Sequence, residues 1–408
     1  MNCRFCGNTL MHDFADLGSC PPSNSFFGKE DMDKPERCYP LKLFVCSVCF
    51  LVQVAEYIKA NEIFNNNYIY FSSYSQSWLE HAKQYTDMIV DRFGFNGNSR
   101  VIEIASNDGY LLQYFKLKNI PVLGIEPAAN TAAEAEKKGI ETVIDFFGVN
   151  LAKELSGQMK KADLLIGNNV LAHVPDINDF VAGMKIILKP DGIITMEFPH
   201  IVRMIGNNQF DTIYHEHFSY FSFTTVCAVF GKHGLEIFDV DEIPTHGGSL
   251  RIYAKHHGNS LWQNNKQVNM LCTREETLGI TSIEYYGAFQ KKIEKVKSDV
   301  ILFLQNAKSL NKKIAAYGAA AKGNTLLNYC DIKAELVKFV ADTSPHKVGK
   351  YLPGSHIPVV REEKIREEKP DYILILPWNI RDEIIKQLSY IKAWGGKFVT
   401  AIPQITIY

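Results

Sequence analysis

The chain has 408 residues, which is too long for one ordinary hydrophobic core and predicts two or three domains. Its 44 basic and 45 acidic residues give a net charge near zero, which excludes the broad positive surface that binds nucleic acid or anionic membranes nonspecifically. No apolar stretch reaches the length of about 18 residues that a membrane-spanning helix needs, and the first residues lack the features of a signal peptide. We therefore expect a cytoplasmic protein.

Two close pairs of cysteines lie in the first part of the chain. Two residues separate Cys3 from Cys6, and two separate Cys46 from Cys49. Four thiolates at this spacing satisfy Zn²⁺ as a tetrahedron and leave no position open for water or substrate, so the pattern predicts a structural zinc site. The alternative is a set of free thiols without a metal. We expect residues 1–65 to form a zinc-binding domain of short strands and turns that depends on the metal for its stability.

The next part of the chain has the pattern of a parallel α/β domain. Residues 65–75 are polar and aromatic without clear periodicity, which predicts a loop that lies over another part of the protein. Apolar residues then recur at helical spacing from Trp78 to Phe93. Strands are predicted at 100–104, 122–125, 164–166 and 192–197, and helices at 111–118, 131–138 and 177–188. We expect residues 66–255 to form one domain that binds ligands at the carboxyl ends of its strands.

The last third of the chain contains a second glycine-rich turn between a strand and a helix. A charged region at 259–311 has a helical pattern and precedes a strand at 314–317, after which Gly318 opens the turn. Further buried strands are predicted at 337–341, 372–376 and 397–400. We expect residues 256–408 to form a second α/β domain.

Polar residues at the ends of the central strands indicate a nucleoside cofactor. The first turn lacks the full G-x-G-x-x-G pattern that cradles a pyrophosphate, whereas Glu126 lies about 17 residues beyond Gly109, where a carboxylate can bind both ribose hydroxyls. S-adenosylmethionine has no pyrophosphate, so the spacing favours it over NAD or a sheet without a ligand. The predicted cofactor-binding residues are Glu103, Ala105, Asn107, Asp108, Gly109, Glu126, Asp145, Phe146, Asn168 and Asn169.

Seven motifs in order along the chain resemble those of the nucleotide-sugar C-methyltransferases, which methylate carbon 3 of dTDP-activated 4-keto-deoxysugars. The motifs are Cys3-x-x-Cys6 with Cys46-x-x-Cys49, Tyr68-x-Tyr-x-Ser-Ser, Glu103-Ile-Ala-Ser-Asn-Asp-Gly-Tyr-Leu-Leu, Asn168-Asn-Val-Leu-Ala-His173-Val, Tyr214-His-Glu216-His217, His246-Gly-Gly-Ser-Leu-Arg251 and Gly318-Ala-Ala-Ala-Lys322-Gly-Asn-Thr-Leu. The resemblance covers nearly the whole chain. One departure is Ala105, where the family usually has glycine.

The resemblance implies three domains: one that binds zinc and two of the α/β class. These are an N-terminal zinc-binding module, a central Rossmann-like class I S-adenosylmethionine methyltransferase sheet, and a C-terminal Rossmann-like α/β domain that helps to hold the nucleotide. It also implies that the catalytic residues are Tyr68, His173, Tyr214, Glu216 and His217.

The proposed chemistry requires residues of these types. A carbon beside a ketone becomes nucleophilic only after it loses a proton, so the site needs a base at that proton and donors at the ketone oxygen. We expect His217 to be the base, with Glu216 orienting it and raising its pKa. Tyr214, Tyr68 and His173 would hydrogen-bond the sugar or the oxyanion, and His173 is the alternative base. Tyr68 and His173 also have purely structural alternatives, in a covering loop and at a helix start, and the alternative for His217 is that it is not catalytic.

Two glycine-containing motifs carry candidate ligands for the substrate. His246 and Arg251 flank two glycines that permit close approach, and the planar fork of Arg251 suits phosphate oxygens. Lys322 and Asn324, in the later glycine-rich turn, would contribute a second positive charge and an amide. Simple tight turns are the alternative for both motifs. We expect a nucleotide sugar as the partner, with no nucleic acid and no membrane, and the oligomeric state stays open.

Two other functions remain open from the residues alone. An O- or N-methyltransferase of a small metabolite would need only to deprotonate a hydroxyl or an amine. A non-catalytic, zinc-stabilised binding module would keep the sheet without the chemistry, although the neutral charge and the run from Tyr214 to His217 count against it. The identity of the sugar, the ring carbon and the nucleobase depend on the shape of the cleft.

Overall fold

The computed structural model describes residues 1–64 and 68–408, whose strands form three sheets. A small N-terminal sheet, a central α/β sheet and a C-terminal α/β sheet follow one another along the chain, as the sequence predicts. The predicted boundary between residues 65 and 66 lies outside the described residues. None of the described helices is both long enough and apolar enough to cross a membrane.

The N-terminal sheet is antiparallel and small. It contains β1 (His12–Cys20), β2 (Tyr39–Val45) and β3 (Val52–Val54), and the short helix α1 (Ala60–Ile63) follows. Along β2, buried side chains alternate with less buried ones, which is the pattern of a sheet covered on one face. A fourth strand, residues 219–220, joins β3 from the middle of the chain. The small domain is therefore built partly from the region around the predicted catalytic residues.

The central domain is a seven-stranded sheet with a hydrophobic cluster on each face. The strands of this region are β4 (Val101–Ile104), β5 (Val122–Ile125), β6 (Thr142–Val143), β7 (Ala162–Asn168), β8 (Leu188–Pro199), β9 (Ser219–Tyr220), β10 (Leu235–Ile243) and β11 (Ser249–His256). Strand β9 is the one that joins the N-terminal sheet, and the others lie in the order β6-β5-β4-β7-β8-β11-β10. Only β11 runs antiparallel to the other six. The connections reverse direction beside β4, so ligands are expected at the carboxyl ends of β4 and β7.

The helices of the central region are α2 (Gln76–Phe93), α3 (Leu112–Leu117), α4 (Ala129–Lys137), α5 (Val149–Gly157), α6 (Ile177–Ile187), α7 (Ile201–Gly206) and α8 (Phe223–Lys232). Four of them, α2, α3, α4 and α6, agree with predicted ones to within a few residues, and the three others were not predicted. Helix α2 begins two residues before the predicted start at Trp78 because Ser75 caps it. The Ser75 hydroxyl oxygen accepts a hydrogen bond from the Trp78 amide at 3.3 Å, which satisfies one of the free amides of the first turn.

The C-terminal domain begins with three helices and ends in a six-stranded sheet. Its helices are α9 (Lys266–Leu278), α10 (Ile283–Gly287), α11 (Phe289–Ser309), α12 (Ala321–Tyr329), α13 (Glu363–Glu368) and α14 (Arg381–Gln387). Its strands are β12 (Ile314–Tyr317), β13 (Val340–Ala341), β14 (Val359–Val360), β15 (Tyr372–Ile375), β16 (Lys397–Thr400) and β17 (Thr406–Ile407). The sheet order is β14-β13-β12-β15-β16-β17, with only β17 antiparallel. Strand β13 is shorter than the predicted strand at 337–341.

The N-terminal domain packs against both of the larger domains. Phe14 of β1 stacks on Phe289 of α11, with ring centroids 4.7 Å apart, and one hydrophobic cluster continues from the N-terminal sheet into the C-terminal domain. Cys3, Phe5 and Cys46 belong to a different cluster, which they share with the central sheet and helices α6 and α8. The N-terminal domain therefore shares hydrophobic contacts with both α/β domains.

Candidate active site

The four predicted metal ligands come together at one end of the N-terminal domain. The sulfur atoms of Cys3, Cys6, Cys46 and Cys49 all lie within 4.8 Å of one another. Four thiolates about 2.3 Å from one zinc ion would be spaced at similar distances, and four sulfurs complete its coordination. The Gln53 side-chain amide donates to the Cys3 sulfur at 3.2 Å, as a residue that orients a metal ligand does. This cluster fits a structural Zn²⁺.

The predicted cofactor loop makes a tight turn directly after β4. Ala105, Asn107 and Gly109 have φ angles of 57°, 49° and 73°, so three of five successive residues occupy the left-handed region. Glycine adopts this region freely, whereas alanine pays a steric cost there. That difference explains in physical terms why glycine is expected at position 105, where this chain has alanine. The amides of Ser106 and Asn107 in this turn bond the Ile125 carbonyl and the Glu126 carboxylate, which fixes the turn against the end of β5.

Glu126 follows β5 and is held beside this turn. Its two carboxylate oxygens accept backbone hydrogen bonds from Asn107 at 3.0 Å and from Ala128 at 2.9 Å. Burial raises the pKa of Glu126, and these two backbone amides oppose that shift. A carboxylate fixed in this way at the end of the second strand is suited to the hydroxyls of a ribose.

The other predicted strand-end residues lie along the same edge of the sheet. Asn168 ends β7 and Asn169 follows it with φ 55°, while Asp145 and the 43%-exposed Phe146 follow β6. Polar atoms buried at this edge have no hydrogen-bond partner among the described residues; they include Ser106 Oγ, Asp108 Oδ1 and Asn169 Oδ1. A polar, nucleoside-bearing ligand such as S-adenosylmethionine would satisfy them, so the residues present fit this cofactor.

The polar and aromatic segment after residue 67 lies over this edge, as predicted for that loop. Asn107 binds it twice, because its Oδ1 accepts from the Ser72 amide at 2.8 Å and its Nδ2 donates to the Tyr70 carbonyl at 3.1 Å. Asn130 of α4 donates to the Tyr68 carbonyl at 2.7 Å. The side chain of Asn107 therefore holds the covering segment, and its backbone amide remains engaged with the Glu126 carboxylate. Residues 65–67 of the predicted loop lie outside the described residues.

His217 has a defined tautomer. Its Nδ1 lies 2.9 Å from the Thr212 carbonyl oxygen, which only accepts, so Nδ1 carries the proton. Its Nε2 therefore accepts, and the Tyr214 hydroxyl donates to it at 2.7 Å. Burial, and then the neighbouring His173, lower the pKa of His217 well below its ordinary value. The imidazole is thus neutral and its Nε2 is available as a base.

The predicted role of Glu216 as the residue that orients His217 is wrong. Glu216 Oε1 accepts a hydrogen bond from Asn24 of the N-terminal domain at 2.7 Å, and the Thr212 carbonyl orients the imidazole instead. The pKa of His217 is also lowered, not raised as predicted, because the side chain is buried and His173 lies beside it. Burial raises the pKa of Glu216 to about 7, which the Asn24 hydrogen bond and the charge of Lys347 partly oppose.

Aromatic rings join the remaining predicted catalytic residues to His217. The ring of His173 meets that of His217 edge-on at 4.6 Å, and Phe64 contacts both His173 at 5.8 Å and Tyr68 at 5.3 Å. Burial lowers the pKa of His173 to about 4, so it is neutral near pH 7. Burial, followed by the charge of Glu216, raises the pKa of Tyr68 well above its ordinary value. The structure therefore brings all five predicted catalytic residues into one region, where burial favours the uncharged forms of His173, His217 and Tyr68.

Two of the predicted substrate ligands are engaged with other protein groups. Arg251 lies within β11, where it forms an ion pair with the buried Glu197 at 2.6 Å. Because this carboxylate occupies its fork, the predicted phosphate contact of Arg251 does not fit the structure. His246, at φ 53°, bonds Asn169 at 2.9 Å and lies beside the ring of Trp78. It therefore belongs to the edge where the cofactor residues lie.

The other two predicted substrate ligands begin α12 and face the predicted catalytic loop. The Lys322 ammonium donates to the Asn379 side-chain oxygen at 3.0 Å and lies 4.9 Å from the centre of the Trp378 ring. Neither side-chain atom of the buried Asn324 has a hydrogen-bond partner among the described residues. Thr325, the next residue, donates to the Ile213 carbonyl at 2.8 Å. The C-terminal domain thus holds the loop that carries His217.

Several residues of this site are not apparent from the sequence. Thr212 acts through its backbone carbonyl, which any residue would supply, and Asn24 lies far from the site along the chain. Asp211 belongs to the polar run before His217, but its partner, the Trp378 indole that donates to it at 2.6 Å, is not near it in sequence. Ser106, inside the motif that begins at Glu103, and Asp211, in the polar run, each had a usable sequence signal.

Three family profiles match the chain in the order of its domains. A family described as "Putative zinc binding domain" matches residues 3–64, one described as "Methyltransferase domain" matches residues 78–240, and one described as "C-methyltransferase C-terminal domain" matches residues 244–403. Together with the strand-end residues of the central sheet, these matches define an S-adenosylmethionine-dependent methyltransferase.

A relative with a named activity covers almost the whole chain. The C-methyltransferase NovU of Streptomyces niveus is 34% identical over 402 residues, which are 98% of this chain and 95% of the relative. The chain belongs to this C-methyltransferase family. A ubiquinone biosynthesis O-methyltransferase of Rhodopseudomonas palustris is 25% identical over 97 residues, or 24% of this chain and 38% of the relative. Among solved structures, magnesium protoporphyrin IX methyltransferase of Synechocystis PCC 6803 is 14% identical with a TM-score of 0.34, covering 43% of this chain and 82% of that one.

Proposed function

We propose that this C-methyltransferase acts on a nucleotide-linked 4-keto-deoxysugar, with dTDP as the carrier, and methylates the carbon beside the ketone. The observation that carries the proposal is the pair of the buried His217 and the half-buried Tyr214, in which a neutral imidazole nitrogen faces a phenol hydroxyl at 2.7 Å. A carbon acid needs both a base for its proton and a donor for its ketone oxygen. In this pair His217 supplies the base and Tyr214 supplies the donor, and the two groups are in hydrogen-bond contact.

The two residues would divide the work of enolate formation between them. When the ketosugar binds, the Tyr214 hydroxyl turns from His217 Nε2 to the ketone oxygen, which leaves Nε2 free to take the ring proton. The hydrogen bond from Nδ1 to the Thr212 carbonyl persists, so the imidazolium that forms keeps its orientation. S-adenosylmethionine, when bound, supplies an electrophilic methyl group to the carbon. Glu103, Glu126 and Asn168 would hold this cofactor at the carboxyl ends of β4, β5 and β7.

A cleft beside Glu216 is the proposed site of the nucleotide. It has a volume of about 570 Å³ and is lined by residues 21–39 of the N-terminal domain, by Tyr68 and Glu216, and by Lys350 of the C-terminal domain. Its aromatic side chains, Phe26, Phe27 and Tyr39, suit a pyrimidine base. Volumes of a few hundred Å³ are typical of small-ligand sites.

Two cations of this cleft are available for a diphosphate. Arg37 and Lys350 line it, and neither forms an ion pair with a described residue. Glu216 and Tyr68 lie on the wall of the same cleft and also belong to the region of His217. A nucleoside diphosphate in the cleft would therefore place its sugar toward the predicted catalytic residues. Asn324, with both amide atoms unpartnered, would hydrogen-bond a sugar hydroxyl.

The proposal is tested by incubating the protein with dTDP-4-keto-6-deoxyglucose and related 4-keto-deoxysugars in heavy water. Without the methyl donor, we expect deuterium to enter the carbon beside the ketone, and with the donor we expect a methyl group on the same carbon. Mass spectrometry and NMR measure both events. Transfer of methyl to oxygen or nitrogen, without deuterium in the ring, would show an O- or N-methyltransferase instead.

The base is tested with the His217→Asn variant in the same assay. We expect both deuterium exchange and methylation to fall by at least about 10³-fold, since the variant has no group that takes the proton. His233→Asn is the matched control, because His233 is not a predicted catalytic residue: it is half-buried and bonds Asn178 at the contact with the N-terminal domain. Retained exchange in His217→Asn would place the base elsewhere, with His173 as the next candidate to substitute.

A further inference from the structure

Lys322 is a half-buried cation whose ammonium has few partners inside the protein. Its ammonium has three donors, but among the described residues only the Asn379 side-chain oxygen accepts from it. Two donors therefore remain for a ligand. Taking a cation partly out of water is costly unless an anion compensates for it, so the position of Lys322 suits a negative charge that forms or binds beside its ammonium.

The ring of Trp378 links the Lys322 ammonium to the carboxylate of Asp211. The Trp378 indole lies under the Lys322 ammonium at 4.9 Å, and its nitrogen donates to the Asp211 carboxylate at 2.6 Å. A methyl group on Gly247 would collide with the same indole, so Trp378 also packs against the turn that carries His246. Trp378 thus connects the Lys322 ammonium with two loops of the central domain, one carrying His217 and the other His246.

The charged and titratable groups around Lys322 belong to the reacting centre. They are Asp211 and His217 from the loop before β9, and His246 from the turn before β11. Burial lowers the pKa of Lys322 to about 8, and the charge of Asp211 opposes this shift. The unpaired cations of the 570 Å³ cleft, Arg37 and Lys350, are not among these groups.

We propose that Lys322 is a catalytic residue that stabilises the enolate oxygen of the ketosugar, and that Trp378 and Asp211 position its ammonium. The inference rests on the proposed function, in which Arg37 and Lys350 of the cleft bind the diphosphate and Lys322 does not. In the step concerned, the C–H bond beside the ketone breaks, its proton passes to His217 Nε2, and its electron pair moves onto the ketone oxygen beside Lys322. When the carbon then takes the methyl group from sulfur, the pair returns to form the C–C bond, the ketone is restored, and the sulfonium leaves as a neutral thioether.

The test compares Lys322→Met with Lys350→Met, which removes a lysine from the nucleotide cleft. The measurements are deuterium exchange into dTDP-4-keto-6-deoxyglucose at saturating concentration without methyl donor, and calorimetric binding of dTDP and of S-adenosylmethionine. For Lys322→Met we expect exchange to fall by about 10² to 10³-fold, as on loss of an oxyanion donor, with the dTDP dissociation constant unchanged within about twofold. For Lys350→Met we expect the reverse pattern, with weaker dTDP binding and retained exchange.

Further variants separate charge from packing. Lys322→Arg keeps the positive charge, and we expect it to recover part of the exchange that Lys322→Met loses. Unchanged S-adenosylmethionine binding in all variants shows that the fold is intact. Weaker dTDP binding with normal exchange in Lys322→Met would overturn this inference and leave the proposed function standing. Absence of exchange in the wild-type protein would overturn the proposed function and this inference together.

Discussion

The central and C-terminal sheets share a strand order but use their carboxyl edges differently. The order β6-β5-β4-β7-β8 in the first corresponds to β14-β13-β12-β15-β16 in the second. In each, an acid follows the second strand: Glu126 accepts from the amides of Asn107 and Ala128, and Asp342 accepts from those of Ala319 and Ser344. The same acid-to-loop hydrogen bonds therefore stabilise the first turn of both sheets.

The contents of the two edges differ. At the central edge, Asp108 and Asn169 present buried polar atoms without a partner, and a segment of the chain lies over them. At the C-terminal edge, Pro377 packs against Gly318, and the Lys347 ammonium donates to the Ala319 carbonyl at 2.8 Å. Protein groups therefore occupy the first turn of the second edge, although Asn324 and Ser344 near it also have buried side-chain atoms without a partner among the described residues. The comparison shows that a shared strand order does not by itself make a cofactor site, which depends on the side chains at the turn.

Among the changes that test this comparison, we expect the largest loss of stability from a substitution at Gly318. Its φ is +85°, and a methyl group there would lie 2.6 Å from Pro377, so Gly318→Ala should lower the free energy of unfolding by about 2 to 4 kcal/mol. Gly395→Ala is the control in the same domain, because Gly395 has φ +80° but open space around it. Urea denaturation measures both. Equal losses would show that the C-terminal edge is not tightly packed.

Glu216 is buried beside the predicted catalytic loop, where it accepts a hydrogen bond from Asn24, and its titration tests that burial. Its pKa of about 7 in the folded protein lies above that of an unfolded glutamate, so the folded state binds more protons between these values. Stability should therefore fall as pH rises from about 4.5 to about 7, by about 2 to 3 kcal/mol relative to Glu216→Gln. Urea denaturation of both proteins at pH 5 and pH 7.5 measures this difference. A difference independent of pH would contradict it.

The two acids that follow the second strands should differ in their effect on the cofactor. Glu126→Gln removes the charge and one acceptor, and we expect S-adenosylmethionine to bind about 10- to 50-fold more weakly. Asp342→Asn is the matched change at the C-terminal edge and should leave this affinity within about twofold. Isothermal titration calorimetry compares them. A comparable loss in Asp342→Asn would mean that the two edges are coupled or that both bind the cofactor.

The smallest effect concerns the turn after β4. Ala105 has φ 57°, where a side chain is strained, so Ala105→Gly should raise the free energy of unfolding by about 0.5 to 1 kcal/mol despite the greater freedom of glycine when unfolded. Ala133→Gly, at an exposed position of helix α4, should instead lower it by about 1 kcal/mol. Thermal unfolding in parallel distinguishes the two signs. Destabilisation at both positions would show that Ala105 is unstrained.

Much of the molecule was predictable from local patterns. The spacing of Cys3, Cys6, Cys46 and Cys49, the alternation of apolar strands and helices, and the polar residues at the strand ends all depend on neighbours close in the chain. Such patterns report backbone geometry, because helices and strands repeat with fixed periods. The three units, their order and the edge of the central sheet that carries the cofactor residues follow from them.

The partners of the polar side chains were decided by tertiary structure. The carbonyl of Thr212, not the carboxylate of Glu216, orients His217. Asn24 of the N-terminal domain donates to Glu216 instead, and Arg251 forms an ion pair with Glu197. Trp378 and Thr325 reach the predicted catalytic loop from the C-terminal domain. Each of these contacts depends on how three domains pack. A buried polar group forms a hydrogen bond with whichever partner the packing places beside it, and the spacing of residues along the sequence does not predict that partner.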